Sequence, residues 1–248
     1  MPRVAKQRRH TLYFLRHARR MAPVFLDTDV DFTEVIAHRK RASEEGARYS
    51  YLSYVLRSAT RVLEKHPDCN AALGGGVLPK LAHFSAVRPK IAMDRTLSGQ
   101  RVVLSAVLPD LRGAGLDEIQ RAIARIRDTP VGKLPELRGT VMLHRLPALF
   151  GWPAFRAGMA ALGKRPQLMG TLAVSSLGHR AVNGFHATGG TAITLGLGQV
   201  KPTPVARENE VVIAPVMRLN LCFDHRVVDG AEAADVLDEI KTDLENTS

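Results

Sequence analysis

The strongest constraint on the fold lies near the C-terminus. A mostly apolar run, Val211 to Phe223, leads directly into Asp224-His225-Arg226-Val227-Val228-Asp229-Gly230. From Ala231 to Asn246 the period becomes helical, with Ala234, Leu237, Ile240 and Leu244 on one face. A long strand must therefore leave the core, turn, and give way to a helix that packs back. Gly230 permits the change of direction, and a strand end is a rigid platform for a reactive group. His225 and Asp229 sit four residues apart in this corner. A neutral imidazole there can take a proton from a thiol or hydroxyl near pH 7.

The remaining chain reads as strands interleaved with helices. Lys6 to Met21 is a basic helix with Leu12, Leu15 and Ala18 as its apolar stripe. Val24 to Phe32 alternates as a half-buried strand does. Thr33 is placed to cap a helix over Glu34 to Glu45. Tyr49 to Lys65 carries Leu52, Val55, Leu56, Ala59, Val62 and Leu63 at core-helix spacing, ended by Pro67. Gly74-Gly75-Gly76 lacks the Lys-Ser/Thr of a phosphate loop and reads as a turn. Strands are expected over His83 to Met93, Arg101 to Leu108 and Thr191 to Val200, and an amphipathic helix over Asp117 to Asp128. Leu134 to Met169, rich in Leu, Ala, Arg and Pro, reads as one or two short helices kept apart by Pro147 and Pro153. Lys201-Pro202-Thr203-Pro204 reads as a turn.

The 248 residues suffice for one large domain with a substantial core. Two distant cysteines, Cys69 and Cys222, suggest neither a metal framework nor a disulfide scaffold, and no metal site is expected. A reduced, cytoplasmic protein is the simple expectation. No segment is long and apolar enough to span a membrane. The formal net charge of +11 suits an anionic substrate, an acidic carrier protein or a plain solvated surface. Without zinc-finger spacing or an RNA-recognition aromatic motif, nucleic acid is not the expected partner.

Asp224-His225-Arg226-Val227-Val228-Asp229-Gly230 resembles the D-H-R-x-x-D-G signature of dihydrolipoamide acyltransferases, the catalytic cores of 2-oxoacid dehydrogenase complexes. It is also similar to the looser H-x-x-x-D-G of chloramphenicol acetyltransferase. Gly170-Thr171-Leu172-Ala173-Val174-Ser175-Ser176-Leu177-Gly178-His179 resembles the family's G-T-F-T-I-S-S-L-G-H strand and turn. Val30-Asp31-Phe32-Thr33 fits its V-D-x-T, and Pro67 to Ala71 its P-x-x-N-A, in which Asn70 is structural. Two stretches depart from it: about 134–169, an insertion, and Arg180 to Gly190, where the family tends to have I-N-P-P.

The resemblance implies an α+β two-layer sandwich, chloramphenicol acetyltransferase-like, with helices packed on a mixed central sheet. The whole of 1–248 would form one acyltransferase catalytic domain, free-standing and without lipoyl or peripheral-subunit-binding domains. It would move an acyl group between coenzyme A and a dihydrolipoamide-like thiol. His225 would act as base, Ser175 as hydrogen-bond donor to the oxyanion, and Asp229 as a structural partner salt-bridged to an arginine, grouped with the histidine as an active-site residue. No lipoyl group would be carried on this chain, so a separate lipoyl or acyl-carrier protein would serve it. The resemblance further implies a homotrimer, or a larger cage of trimers, with the Arg-rich N-terminal helix packing against a neighbouring subunit and His225 and Ser175 meeting across subunits. Two alternatives stay open on sequence: transfer to another acceptor, such as a carrier protein or small molecule, and a non-catalytic assembly core.

Overall fold

The structure, a computed structural model, describes residues 4–75 and 78–247. The start of the basic segment and the third glycine of Gly74-Gly75-Gly76 lie outside the described residues. In chain order the elements are α1 (Arg9–Ala18), β1 (Pro23–Asp31), α2 (Thr33–Glu44), α3 (Tyr51–Lys65), β2 (Ala71–Gly74), β3 (Lys80–His83), β4 (Pro89–Leu97), β5 (Gln100–Val107) and α4 (Leu116–Asp128). They continue with α5 (Arg138–Arg145), α6 (Ala148–Ala160), α7 (Arg165–Met169), β6 (Leu172–Ser176), β7 (Ile193–Leu197), β8 (Lys201–Arg207), β9 (Glu210–Asp224) and α8 (Gly230–Glu245).

Seven strands form one sheet in the order β1-β9-β7-β6-β4-β5, with β8 also paired to β9; β2 and β3 form a separate hairpin. The sheet is mixed: β4–β6 and β6–β7 are parallel, the other pairs antiparallel. The architecture is the expected α+β one. Strand alternation separates two faces. Leu172, Val174, Ile193, Leu195, Leu221 and Phe223 point to a core shared with α3, α4 and α8. Each such side chain contributes roughly 1.5–3 kcal/mol when removed from water. Helix α3 starts where the Ser50 hydroxyl accepts from the Ser53 amide, 3.3 Å away, and it buries Tyr54, Leu56 and Leu63 completely.

On the second face the register aligns Lys90, Ala173, Thr194 and Cys222 in one row across four strands. Above this side lie α1 and the segment 134–169. The Tyr13 ring meets Trp152 and Phe155, each at 6.3 Å between centroids, and the Arg16 guanidinium lies 4.4 Å from the Trp152 ring centroid. His144 Nε2 and His10 Nδ1 are 2.8 Å apart, and His10 Nε2 lies 3.0 Å from the Val103 carbonyl on edge strand β5. The segment 134–169 thus clamps the N-terminal helix to its own sheet.

Several local expectations need correction. Thr33 does not cap α2: the Asp31 carboxylate accepts from the Thr33 amide at 2.9 Å and hydroxyl at 2.6 Å, so Thr33 opens the helix itself. The strand expected over His83 to Met93 is two strands, because the Asn70 amide donates to the carbonyls of Phe84 and Ala86 and holds the intervening residues out of the sheet. Pro153 lies inside α6 rather than between helices. The carbonyl its ring leaves unbonded belongs to Leu149, which is exposed, so water can satisfy it. Lys201 to Pro204 is not a turn but the start of β8. Proline is tolerated there because β8 pairs on one side only. In α8 the buried residue is Ala233, not Ala234. In α1, Leu12 and Leu15 point outward, and only Ala18 of the expected stripe is buried.

Candidate active site

Strand β9 ends at Asp224, which is 4 % exposed. Its carboxylate accepts from Arg226 Nε at 2.9 Å and Nη2 at 2.6 Å, from the Arg226 amide at 3.2 Å and from the Ala22 amide at 3.2 Å. Its own amide donates to the Ala192 carbonyl at 3.0 Å. Burial alone would raise the Asp224 pKa, but the bonds from Arg226 and Ala22 outweigh it and hold the carboxyl below its ordinary range. The turn between strand and helix is therefore tied to both neighbouring segments, and Asp224 fixes it.

His225 follows. Its amide donates to the Ala22 carbonyl at 2.9 Å, and its ring lies tilted against that of Phe223, a fully buried core residue, at 5.4 Å between centroids. Backbone and ring are anchored, yet 47 % of the side chain stays open to solvent. Its Nδ1 is turned towards Asp229 Oδ1 at 3.7 Å, an ion-pair distance too long for a hydrogen bond. Asp229 occupies the N-cap position of α8 with an extended backbone and makes no side-chain cap bond. The arginine salt bridge expected for Asp229 is not formed: Arg226 is committed to Asp224, and among the described residues the basic group facing Asp229 is the His225 ring.

Ser175 lies at the far end of β6, half-buried, in register with Gly196 and, through it, with Asn220. It shares the second face with Lys90 and Ala173, whereas Ser176 points the other way and is exposed. The loop after β6 crosses close above: a Cβ on Gly196 would come 2.3 Å from the Phe185 carbonyl oxygen, so only glycine fits there. His225 and Ser175 are not brought together within one chain. They stand two strands and five residues apart in register, roughly 20 Å at ~4.8 Å per strand and ~3.3 Å per residue.

Beneath the turn lies a group that sequence reasoning missed. Arg165 of α7 donates to the Leu73 carbonyl at 2.7 Å and senses both Arg226 and Asp224. His17 of α1 is held neutral, its pKa pushed down to about 4 by burial and then by Arg165, Arg20, Arg226 and Lys90. Lys90 is buried, donates to the Gly189 carbonyl, lies over the Phe14 ring at 5.2 Å, and has its pKa lowered by burial to about 7. The one available sequence signal was a lysine at an inward phase of a strand. Among the described residues, no group of three or more His, Cys, Asp or Glu is placed to hold a metal ion.

Comparison with known proteins bears on the fold. Residues 161–248 match the 2-oxoacid dehydrogenases acyltransferase (catalytic domain) family. Over 227 residues the chain is 25 % identical to the dihydrolipoyllysine-residue acetyltransferase component of the pyruvate dehydrogenase complex of Bacillus subtilis. That alignment covers 88 % of this chain and 43 % of the relative, so the chain spans less than half of that protein's length. Among solved structures, the dihydrolipoamide acetyltransferase of Azotobacter vinelandii superposes with a TM-score of 0.72 at 21 % identity, covering 99 % of this chain and 92 % of the other. A chloramphenicol acetyltransferase superposes with a TM-score of 0.53 at 14 % identity, covering 95 % and 94 %. The chain therefore carries the fold of the dihydrolipoamide acetyltransferase catalytic cores, and its residues 161–248 match the 2-oxoacid dehydrogenases acyltransferase (catalytic domain) family.

Proposed function

We propose that the protein transfers an acyl group between coenzyme A and an acceptor thiol of the dihydrolipoamide kind. The observation that carries this reading is the His225 imidazole, half open to solvent on a turn locked by Asp224 and Arg226, inside the segment that matches the family. Ser175 lies in the same segment. In the Azotobacter enzyme a serine, a histidine and an asparagine have been studied for roles in catalysis, the last two four residues apart. His225 and Asp229 have that spacing.

In this mechanism Nε2 of neutral His225 takes the proton of the acceptor thiol. The resulting thiolate attacks the thioester carbon of acyl-CoA. The tetrahedral oxyanion receives a hydrogen bond from the Ser175 hydroxyl. Collapse expels the CoA thiolate, which takes back the proton from the imidazolium. No enzyme nucleophile is acylated, so both substrates must be bound together. Asp229 faces Nδ1 across the turn, which leaves Nε2 as the nitrogen presented to the thiol.

The separation of His225 from Ser175 supports a homotrimer, or a cage built from trimers, in which the base of one subunit meets the donor of the next. We read 1–248 as one catalytic domain with 134–169 as an insertion, acting in the cytoplasm on a lipoyl or carrier protein. The direct test is CoA release from acetyl-, isobutyryl- and succinyl-CoA with dihydrolipoamide. Release should require the acceptor and fall on the order of 10²–10⁴-fold in His225→Ala. No release with any donor would overturn the thiol acceptor.

A further inference from the structure

The positive charge of this protein is concentrated in one layer. Of its 35 Lys and Arg, eleven lie in segments 4–21 and 138–169, which contain no Asp or Glu. The other 24 match the 24 Asp and Glu of the chain, so these two segments account for the whole formal charge of +11. They form one continuous layer through the Tyr13–Trp152, Arg16–Trp152 and His10–His144 contacts.

The same layer exposes apolar side chains. Helix α6 is apolar around its whole circumference, with Arg156 its single charge. Trp152, Phe155 and Met159 face inward, while Leu149 is 78 % and Phe150 60 % exposed, next to exposed Pro153, Ala154 and Ala157. Such a helix is normally buried. On α1, Arg8, Leu12, Leu15 and Arg19 share one exposed stripe at helical spacing. Met142 of α5 is exposed between Arg138 and Arg145.

We propose that this layer docks on the surface of an anionic lipid bilayer, with Leu149 and Phe150 inserted at the headgroup boundary and the surrounding Arg and Lys against the lipid phosphates. The acid-free charge selects an anionic occupant. It opposes self-association through this face, because two copies would set one acid-free basic surface against another. Protruding aliphatic and aromatic side chains suit a lipid boundary and gain nothing on a phosphate backbone. The helix lies on the membrane rather than crossing it: α6 has 13 residues, a span needs about 20, and no helix among the described residues is long and apolar enough.

The test is flotation of the full chain with vesicles of phosphatidylcholine alone or with 30 % phosphatidylglycerol, at about 0.1 M and 0.5 M salt, alongside light scattering. The wild type should float with the anionic vesicles, at least tenfold less with neutral ones, and less at high salt. Leu149→Glu/Phe150→Glu and, separately, Arg138→Glu/Arg145→Glu should each lose at least tenfold of that binding while keeping the thermal midpoint and acyl-transfer activity. Three results would each overturn the proposal. One is no flotation with anionic vesicles. Another is undiminished flotation of the Leu149/Phe150 variant, leaving charge without docking. The third is a drop in oligomer size in that variant with no vesicle binding by either protein, which assigns the face to a second copy. Since the binding readout does not involve CoA, its failure is distinct from failure of the acyl-transfer reading.

Discussion

Asp224 carries more of the site's geometry than either residue beside it. Its four accepted hydrogen bonds join the end of β9, the residue before β1 and the Arg226 side chain. Removing a buried partner of an ion pair costs about 3–5 kcal/mol. With Arg226 37 % exposed, Asp224→Ala should lower the unfolding free energy by about 2 kcal/mol in urea titration. Activity should fall through kcat rather than KM, because the imidazole loses its aim and not its substrate. The folded pKa of Asp224 is depressed, so its contribution is present above the ordinary carboxylate pKa and lost as pH falls through the folded value. Thermal midpoints below about pH 4 should decline less steeply in Asp224→Asn than in the wild type.

At the scale of elements, the clamp between α1 and the helices α5 and α6 depends on neutral histidines. His144 is buried, and its pKa is pushed down to about 4 by burial, then by His10 and Arg9; His17 is at about 4 as well. Since both folded pKa values lie below the unfolded one, the unfolded chain binds more protons between about pH 6.5 and 4, and stability falls as pH drops through that window. Amide exchange in α1, α5 and α6 should quicken there before that of α3 and α8, and His144→Gln should reduce the effect. Lys90 works in the opposite pH range. Its folded value of about 7 lies below that of an unfolded lysine, so stability should rise from about pH 7 towards 10, a slope absent in Lys90→Met. What the sequence made legible, and what it did not, divides at this scale. The corner at 222–230 was readable because an apolar run and a helical period meet at His225, and both persist. The outward turn of Leu12 and Leu15 was not, because α1 has a second, aromatic face in Tyr13, Phe14 and His17 that packs on Trp152, Phe155 and Lys90. Ala234 was misplaced by one residue because an alanine repeat at 233–234 fits the helical period in either phase. The grouping of Lys90, His17 and Arg165 comes from three distant segments and has no local signature.

For the whole molecule, the proposed pairing of Ser175 with His225 across subunits would make activity a property of the assembly, because the two lie too far apart within one chain. Equal mixtures of His225→Ala and Ser175→Ala subunits, dissociated and reassembled, should recover about a quarter of wild-type activity, since about one random interface in four pairs an intact base with an intact donor. Each variant alone should stay at least 10²-fold down. A site complete within one chain would show no such rescue. The hairpin of β8 and β9 bears on assembly in another way. Pro202 stands opposite Pro215, and Pro204 opposite Ile213. Two residues that both lack an N–H can only form a non-hydrogen-bonded pair, so the positions at 202 and 204 direct their backbone outward. The outer margin of β8 therefore lacks two successive donors where another strand would seek them. At high concentration the protein has a built-in brake on runaway fibre growth along that margin, and exchanging both prolines for threonine should make concentrated solutions seed thioflavin-positive aggregates sooner.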